Sequence, residues 1–230
     1  ENEWLKQNQI IKYAGNPNYM PFESFDSLGN HVGIIAEHLK LIEQTLGIKF
    51  ERIQTNSFKE TFDKAKENKI DIFSNYWKTE EFDNRHISIP IDVKTPIVIS
   101  GKKDKNKEFI ISLSQLKDEK IAVIKDFLYL NEIYKNYPNL NYIEVDSAIT
   151  ALQGVSSGVY DLALCSLPLA TYTISSLGLS NTEIMGKTDT YMQLNFSIRK
   201  DDVIFKTILE KALAIHPASE LNKIMQQWEQ

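Results

Sequence analysis

The spacing of hydrophobic residues in the first third of the chain switches repeatedly between that of a strand and that of a helix. The predicted elements are a strand at 10–13, a helix at 35–46, a strand at 49–53, a helix from 57 onward and a strand at 70–73. Gly47 stands where a left-handed helix cap belongs, and Ser57 with Glu60 forms a capping box. Because strands and helices alternate, the pattern favours a parallel α/β sheet built of crossover units.

The rest of the chain repeats this alternation between two extended runs, at 95–100 and 193–199. The predicted elements between these runs are a strand at 121–124, a helix from 127, a strand at 142–145, a helix around 149–155 and a strand at 162–165. The helices after 200 have no new sheet to cover, so we expect them to return to the first one. The pattern therefore predicts a two-lobed α/β clamshell with two hinge crossings. Its lobes are residues 1–97 with 196–230 and residues 98–195.

A loop at 16–23 follows the first predicted strand and interrupts the regular pattern. It contains Pro17, Tyr19 and Pro21, and chain with this composition cannot continue as regular structure. Ligands bind at the carboxyl edge of open α/β sheets, and this loop leaves the sheet at that edge. The sequence therefore predicts a ligand-binding loop.

Composition excludes several classes of partner. The chain has 230 residues, 42% hydrophobic and 25% charged, with a net charge of -5 and no basic stripe, so nucleic acid is not an expected partner. No apolar run approaches the length of a membrane span, and the start carries no signal segment. We therefore expect either a cytosolic protein or a mature or excised fragment.

The chain has few histidines or cysteines that could bind a metal ion or act as a reactive thiol. The single cysteine, Cys165, lies among Leu162, Ala163 and Leu164 and is interpreted as a small buried residue rather than a reactive thiol. The four histidines are far apart and lack partners at ligand spacing, so neither a metal nor a cofactor is expected.

The order of several short motifs resembles the bacterial family 3 extracellular solute-binding proteins over nearly the whole chain. These motifs are Tyr19-x-Pro21-Phe22, Gly29, Gly33, Gly47, Phe58, Ile70-Asp71, Thr79, Pro90, Leu116, Ala148-Ala151-Leu152, Gly158-x-x-Asp161, Phe196-x-Ile198-Arg199-Lys200 and Trp228. The lead-in at 4–11 is similar to that of venus flytrap sensor domains on histidine kinases and cyclic-dinucleotide enzymes. The resemblance implies the periplasmic-binding-protein fold and a periplasmic or extracytoplasmic location.

The resemblance also implies positions for a small-molecule ligand. In the first lobe these are Asn16, Tyr19, Phe58, Ser74, Asn75, Tyr76, Trp77, Thr79 and Phe82, and in the second lobe Phe127, Leu128 and Ser166. Arg85 and Lys125 are further candidates. Core packing is the alternative for each aromatic ring, and it weighs most for Tyr76 and Phe127. A wider alternative is that no small ligand binds and the lobes transmit a partner's state.

Two of these positions depart from the pattern of amino-acid binders. Phe82 falls where those proteins place an arginine for the ligand's carboxylate, and Ser166 falls where they place an acidic group for its ammonium. The remaining set of aromatic and neutral polar residues would suit a flat, apolar or cationic ligand. We therefore expect Tyr19 and Phe58 to sandwich the ligand and free amino acids to bind weakly or not at all.

Three functions compete. The first is a sensor domain attached to membrane-embedded signalling domains, the second is a free binding protein serving an ABC permease, and the third is a small lyase or hydrolase. An enzyme needs a positioned acid or base. The nearby titratable groups, interpreted as solvated charges, are Glu23, Asp26, Lys78, Glu80 and Lys125. We therefore expect a binding protein, with the sensor favoured.

Overall fold

The computed structural model describes residues 1–76, 84–125, 127–216, 223 and 226–227. Its strands are β1 Ile10–Ala14, β2 Asn18–Tyr19, β3 Glu23–Phe25, β4 His31–Val32, β5 Lys49–Arg52, β6 Ile72–Asn75, β7 His86–Lys102, β8 Lys120–Ile124, β9 Asn141–Val145, β10 Leu162–Ser166 and β11 Thr182–Arg199. Its helices are α1 Asn2–Gln7, α2 Ile34–Leu46, α3 Phe58–Lys66, α4 Tyr129–Asn136, α5 Ala148–Ser157, α6 Leu167–Ser176 and α7 Val203–Ile215, with a 3-10 turn at Leu113–Gln115.

The chain divides into two compact units. Unit 1 contains Glu1–Val93 and the described residues from Gln193 onward, and unit 2 contains Lys94–Met192. The long strands β7 and β11 each begin in one unit and end in the other.

In unit 1 the strand order is β5-β1-β6-β11. β1 is parallel to both β5 and β6, whereas β11 is antiparallel to β6. The register places Tyr13 opposite Ile72 and Asn195 opposite Asn75. Because β1, β5 and β6 are parallel, the loops that follow them leave from the same edge of the sheet, as predicted from the alternating pattern.

Helices α2 and α7 contact each other in unit 1. α2 buries Ile35, Leu39 and Ile42, the apolar face that its helical spacing predicts, and ends at Gly47 in the predicted left-handed conformation. α7 buries Ile208 but leaves Ile204 and Ile215 exposed, at 49% and 65%. The second helix predicted after residue 200, with Leu221, Ile224 and Trp228 on its apolar face, falls on positions outside the described residues. At the other end of the chain, Trp4 of α1 stacks on Phe205 of α7, with ring centroids 5.1 Å apart.

In unit 2 the strand order is β7-β10-β8-β9. β8 is parallel to β9 and β10, and β10 is antiparallel to β7. Helix α5 packs Leu152 and Val155 onto this sheet, while Ile149 in its first turn is 50% exposed. Cys165 is 1% exposed, and burial raises its pKa to about 12, so its interpretation as a buried apolar residue is confirmed.

One predicted strand boundary and one predicted helix cap differ from the structure. Ile70 and Asp71 precede β6 instead of beginning it, and the Asp71 side chain accepts a hydrogen bond from the Lys12 amide at 2.9 Å. The capping box of α3 is half formed. The Glu60 amide donates to Ser57 Oγ at 3.1 Å, but the Glu60 carboxylate accepts from the amide of Asn56 at 2.9 Å.

Candidate functional site

Several of the predicted ligand residues of unit 1 lie at the carboxyl edge of its parallel strands. Asn16 and Tyr19 follow β1, Phe58 begins α3 after β5, and Tyr76 follows β6. We call this group of loops the unit 1 edge. The predicted residues Trp77, Thr79 and Phe82 lie outside the described residues, as do Lys78 and Glu80.

The loop after β1 is ordered by its own side chains. Asn16 Oδ1 accepts a hydrogen bond from the amide of Asn18 at 3.2 Å, and Ser24 Oγ donates to the carbonyl of Pro17 at 3.1 Å. Tyr19 is 7% exposed and stacks on Phe22, with centroids 5.0 Å apart and an interplanar angle of 25°. The ring of this loop is therefore packed against protein.

Tyr76 is part of the same aromatic cluster. Its ring centroid lies 4.8 Å from that of Tyr19, 5.9 Å from that of Phe22 and 6.4 Å from that of Phe58. Only 8% of Tyr76 is exposed. Both rings that were expected to sandwich a ligand therefore contact the ring of Tyr76.

Glu23, which sequence reasoning interpreted as a solvated charge, is completely buried, so that interpretation was wrong. Tyr13 donates to Glu23 Oε1 at 2.7 Å, and His31 Nε2 lies 3.0 Å from the same oxygen. Ser74 and Tyr76 donate to Oε2. Asp26, by contrast, is exposed as expected.

These hydrogen bonds determine the charge state of the buried group. Burial raises the pKa of Glu23, but the hydrogen bond and the electrostatic attraction of His31, with the hydrogen bonds from Ser74 and Tyr76, outweigh it and bring the pKa below the usual value. Burial, together with the Glu23 charge, raises the pKa of Tyr13 and of Tyr76 well above the usual range. The arrangement is therefore a carboxylate surrounded by neutral phenols and a hydroxyl.

Asn75 belongs to a second buried polar group in unit 1. Its Nδ2 donates to Ser88 Oγ at 2.8 Å and to Ser197, while its Oδ1 accepts from Asn195 Nδ2 at 2.9 Å. The amide predicted to bind a ligand thus bonds to β7 and β11.

Phe58 is half-buried and packs against the cluster of Ala14, Ala65, Ile70 and Phe73. The ring of Phe58 therefore contributes to the core of unit 1, and we expect Phe58→Ala to lower the free energy of unfolding as well as any affinity.

The predicted residues of unit 2 lie at or after the carboxyl ends of β8 and β10, which are neighbouring parallel strands. Phe127 stacks on Tyr129 at 5.3 Å, and Leu128 precedes α4. Ser166 is buried, and its Oγ has no hydrogen-bond partner within the part of the chain that the structure describes. Lys125 is exposed and forms an ion pair with Asp146 at 2.7 Å.

Arg85 lies at the opposite edge of the unit 1 sheet. Its carbonyl accepts a hydrogen bond from the amide of Lys200 at 2.9 Å, next to the end of β11. β11 runs antiparallel to β6 and ends beside the start of β6, so Arg85 is remote from Tyr19 and Tyr76. The suggestion that it enters the ligand site was wrong.

Little in the amino-acid sequence indicates the group of side chains around Glu23. A glutamate after Phe22 and a histidine on a two-residue strand look like loop residues, because β3 and β4 are too short to show a burial period. The one usable signal was Tyr13 on a strand with alternating burial, since a buried phenol needs a partner.

The sequence profile of the bacterial extracellular solute-binding proteins, family 3, matches residues 11–230, and the chain belongs to this family. Sensor protein EvgS of Escherichia coli K12 is 23% identical over 231 residues, which cover 99% of this chain and 19% of that protein. The chain thus spans about a fifth of the length of this relative.

Two solved structures show the same fold. The periplasmic VFT2 domain of BvgS from Bordetella pertussis superposes with a TM-score of 0.86 at 20% identity, covering 98% of this chain and 96% of that one. A histidine kinase sensor domain with similarity to periplasmic binding proteins gives a TM-score of 0.79 at 18% identity, covering 97% of each chain. The periplasmic-binding-protein fold predicted from the sequence is confirmed.

Within the described ranges, the structure contains neither a cluster of metal ligands nor a membrane-spanning helix. No group of three or more histidine, cysteine, aspartate or glutamate side chains is arranged to hold a metal ion. Among the same residues, none of the helices has the length and apolar character needed to cross a bilayer.

Proposed function

We propose that this chain is the extracytoplasmic ligand-binding domain of a transmembrane signalling receptor and that it works in the periplasm. The observation that carries the proposal is its similarity to sensor protein EvgS over 99% of its length. The fold it shares with the BvgS VFT2 domain supports the same function. In this proposal, residues 1–97 with 196–230 and residues 98–195 are the lobes that close on a small molecule, and membrane-embedded domains of the same protein receive the signal.

The main alternative is a free periplasmic binding protein that delivers its ligand to an ABC permease. The two functions predict different cellular behaviour of the intact protein. An epitope tag inserted in the exposed lysine-rich loop at 103–107 would allow the intact protein to be detected in each cell fraction. We expect the intact protein to sediment with membranes and to be cleaved by protease added to spheroplasts. Release by osmotic shock would contradict the receptor proposal and support transport.

Catalysis has the least support. The family is one of binding proteins, and the buried carboxylate of Glu23 already accepts hydrogen bonds from Tyr13, Ser74 and Tyr76. A general acid or base must reach the substrate, and Glu23 has no exposed surface.

We further propose that the ligand is not a free α-amino acid. Ser166 supplies no carboxylate for an ammonium, and the family resemblance implies that Phe82 takes the position of the carboxylate-binding arginine of amino-acid binders. Loss of a buried charged pair weakens binding by several kcal/mol, or about a thousandfold. Titration calorimetry with the twenty standard amino acids should therefore show no micromolar binding. A micromolar complex with any of them would contradict this assignment.

A further inference from the structure

The place where a ligand was expected to stack in unit 1 contains a side chain of the protein itself. Tyr76 lies within 4.8 Å of Tyr19 and 6.4 Å of Phe58, measured between ring centroids. The Tyr19 contact is edge-on, at 68°, and the Phe58 contact is tilted, at 57°. Edge and tilted contacts at these separations are the arrangements that aromatic rings prefer.

The hydroxyl of Tyr76 is also matched by the protein. It donates to Glu23 Oε2, the oxygen that Ser74 also uses. The raised pKa of Tyr76 keeps this phenol protonated, so it remains a donor. The ring of Tyr76 thus packs against aromatic side chains, and its hydroxyl donates to a buried acceptor. Small-molecule sites use the same two kinds of contact to fix the orientation of a ligand.

We propose that Tyr76 is a built-in occupant of the aromatic site at the unit 1 edge and determines its specificity. Its phenol takes the place of a stacked aromatic ligand, so a flat ligand binds between Tyr19 and Phe58 only when Tyr76 leaves Glu23. The site that Tyr76 fills is built for phenols. The inference rests on the proposed function only in assigning this edge to ligand binding.

The proposal can be tested by removing the side chain of Tyr76 and adding phenol, the molecule that corresponds to its ring and hydroxyl. In Tyr76→Ala the vacated space should bind phenol, whose hydroxyl can donate to Glu23. We expect phenol to raise the melting temperature of this variant in a saturable manner and to leave the wild-type protein unchanged. Benzene, which lacks the hydroxyl, should bind at least about tenfold more weakly because Glu23 would lose a hydrogen bond.

Two matched variants distinguish binding of phenol in the vacated space from a non-specific response of a destabilised protein. Tyr76→Phe keeps the ring in place and should not respond to phenol. Adding Glu23→Gln to Tyr76→Ala should reduce the preference for phenol over benzene. If Tyr76→Ala fails to fold alone, the readout becomes refolding yield, which phenol should restore and benzene should not.

The proposal is overturned if wild type and Tyr76→Ala respond alike to phenol, if phenol and benzene act equally, or if neither restores an unfolded variant. These outcomes are independent of the cellular test. Release of the intact protein by osmotic shock would remove the receptor function and leave the assignment of Tyr76 standing.

Discussion

Glu23 illustrates, for a single residue, how a buried charge depends on its hydrogen-bond donors. Tyr13, His31, Ser74 and Tyr76 all face its carboxylate, and no solvent reaches it. A lone carboxylate in such a place would be very unfavourable, whereas one with several donors is stable in its charged form. The contribution of Glu23 to stability therefore depends on the side chains that donate hydrogen bonds to it and cannot be assigned to Glu23 alone.

We predict that Glu23→Ala lowers the free energy of unfolding by about 3–5 kcal/mol, because it leaves several buried donors unpaired. The matched control is Glu43→Ala. Glu43 accepts hydrogen bonds from Arg52 at 2.9 Å and from the Phe50 amide at 3.0 Å, but it is partly exposed. The control should lose only about 1–2 kcal/mol in urea titrations. Equal losses would show that the group around Glu23 has no special role.

His38 is a second residue whose burial affects stability. It is 1% exposed on α2, and its Nε2 has no hydrogen-bond partner among the described residues. Burial lowers the pKa of His38 to about 4, with a smaller effect from the charge of His216. Above pH 6.5 the side chain is neutral whether folded or unfolded, so it adds no pH dependence there.

Below pH 6.5 the unfolded chain binds a proton at His38 that the folded chain does not. We predict that this residue removes about 3 kcal/mol of stability as the pH falls from about 6.5 to about 4. His38→Leu should abolish this part of the acid sensitivity, measured as the free energy of unfolding against pH. Parallel curves for wild type and variant would contradict the assignment.

At the scale of elements, two glycines flank α2 for different reasons. Gly33 precedes the helix at φ 113°, and a Cβ there would lie 2.6 Å from the carbonyl oxygen of Phe22. Gly47 ends the helix at φ 67°, and a Cβ there would meet nothing within 4 Å. The first position combines backbone strain with a clash against backbone, whereas the second has strain alone.

We therefore predict that Gly47→Ala lowers the free energy of unfolding by about 1–2 kcal/mol, the cost of left-handed backbone for a residue with a Cβ. Gly33→Ala should lower it by more than about 3 kcal/mol, because the backbone of β3 must also move. Chemical denaturation of both variants gives the comparison. A Gly33→Ala variant no less stable than Gly47→Ala would show that β3 yields easily.

For the molecule as a whole, the single cysteine reports on unfolding. Cys165 lies in β10 at the centre of the unit 2 sheet, and its thiol is both buried and protonated. Reaction with a thiol reagent requires an exposed thiolate, so the folded protein must open first. We predict labelling in native buffer that is slower by a factor on the order of a thousand than labelling in denaturant. Rapid labelling of the native protein would mean that unit 2 opens easily.

Several features of the fold could be predicted from the sequence because they depend on neighbouring residues. The alternation of strands and helices, the left-handed cap at Gly47 and the buried character of Cys165 each follow from a short window of residues. The motif order was also sufficient to indicate the family, which the profile match confirms.

The interior of the unit 1 edge was decided only by the tertiary structure. Glu23, His31 and Tyr76 lie on three separate segments, and no local pattern states that their side chains meet. The sequence determined the alternating strands and helices of each unit and the edge of the sheet from which their loops leave. Whether a polar or aromatic side chain at that edge faces a ligand or another part of the protein depends on contacts between residues far apart in the chain. Local spacing carries no information about those contacts.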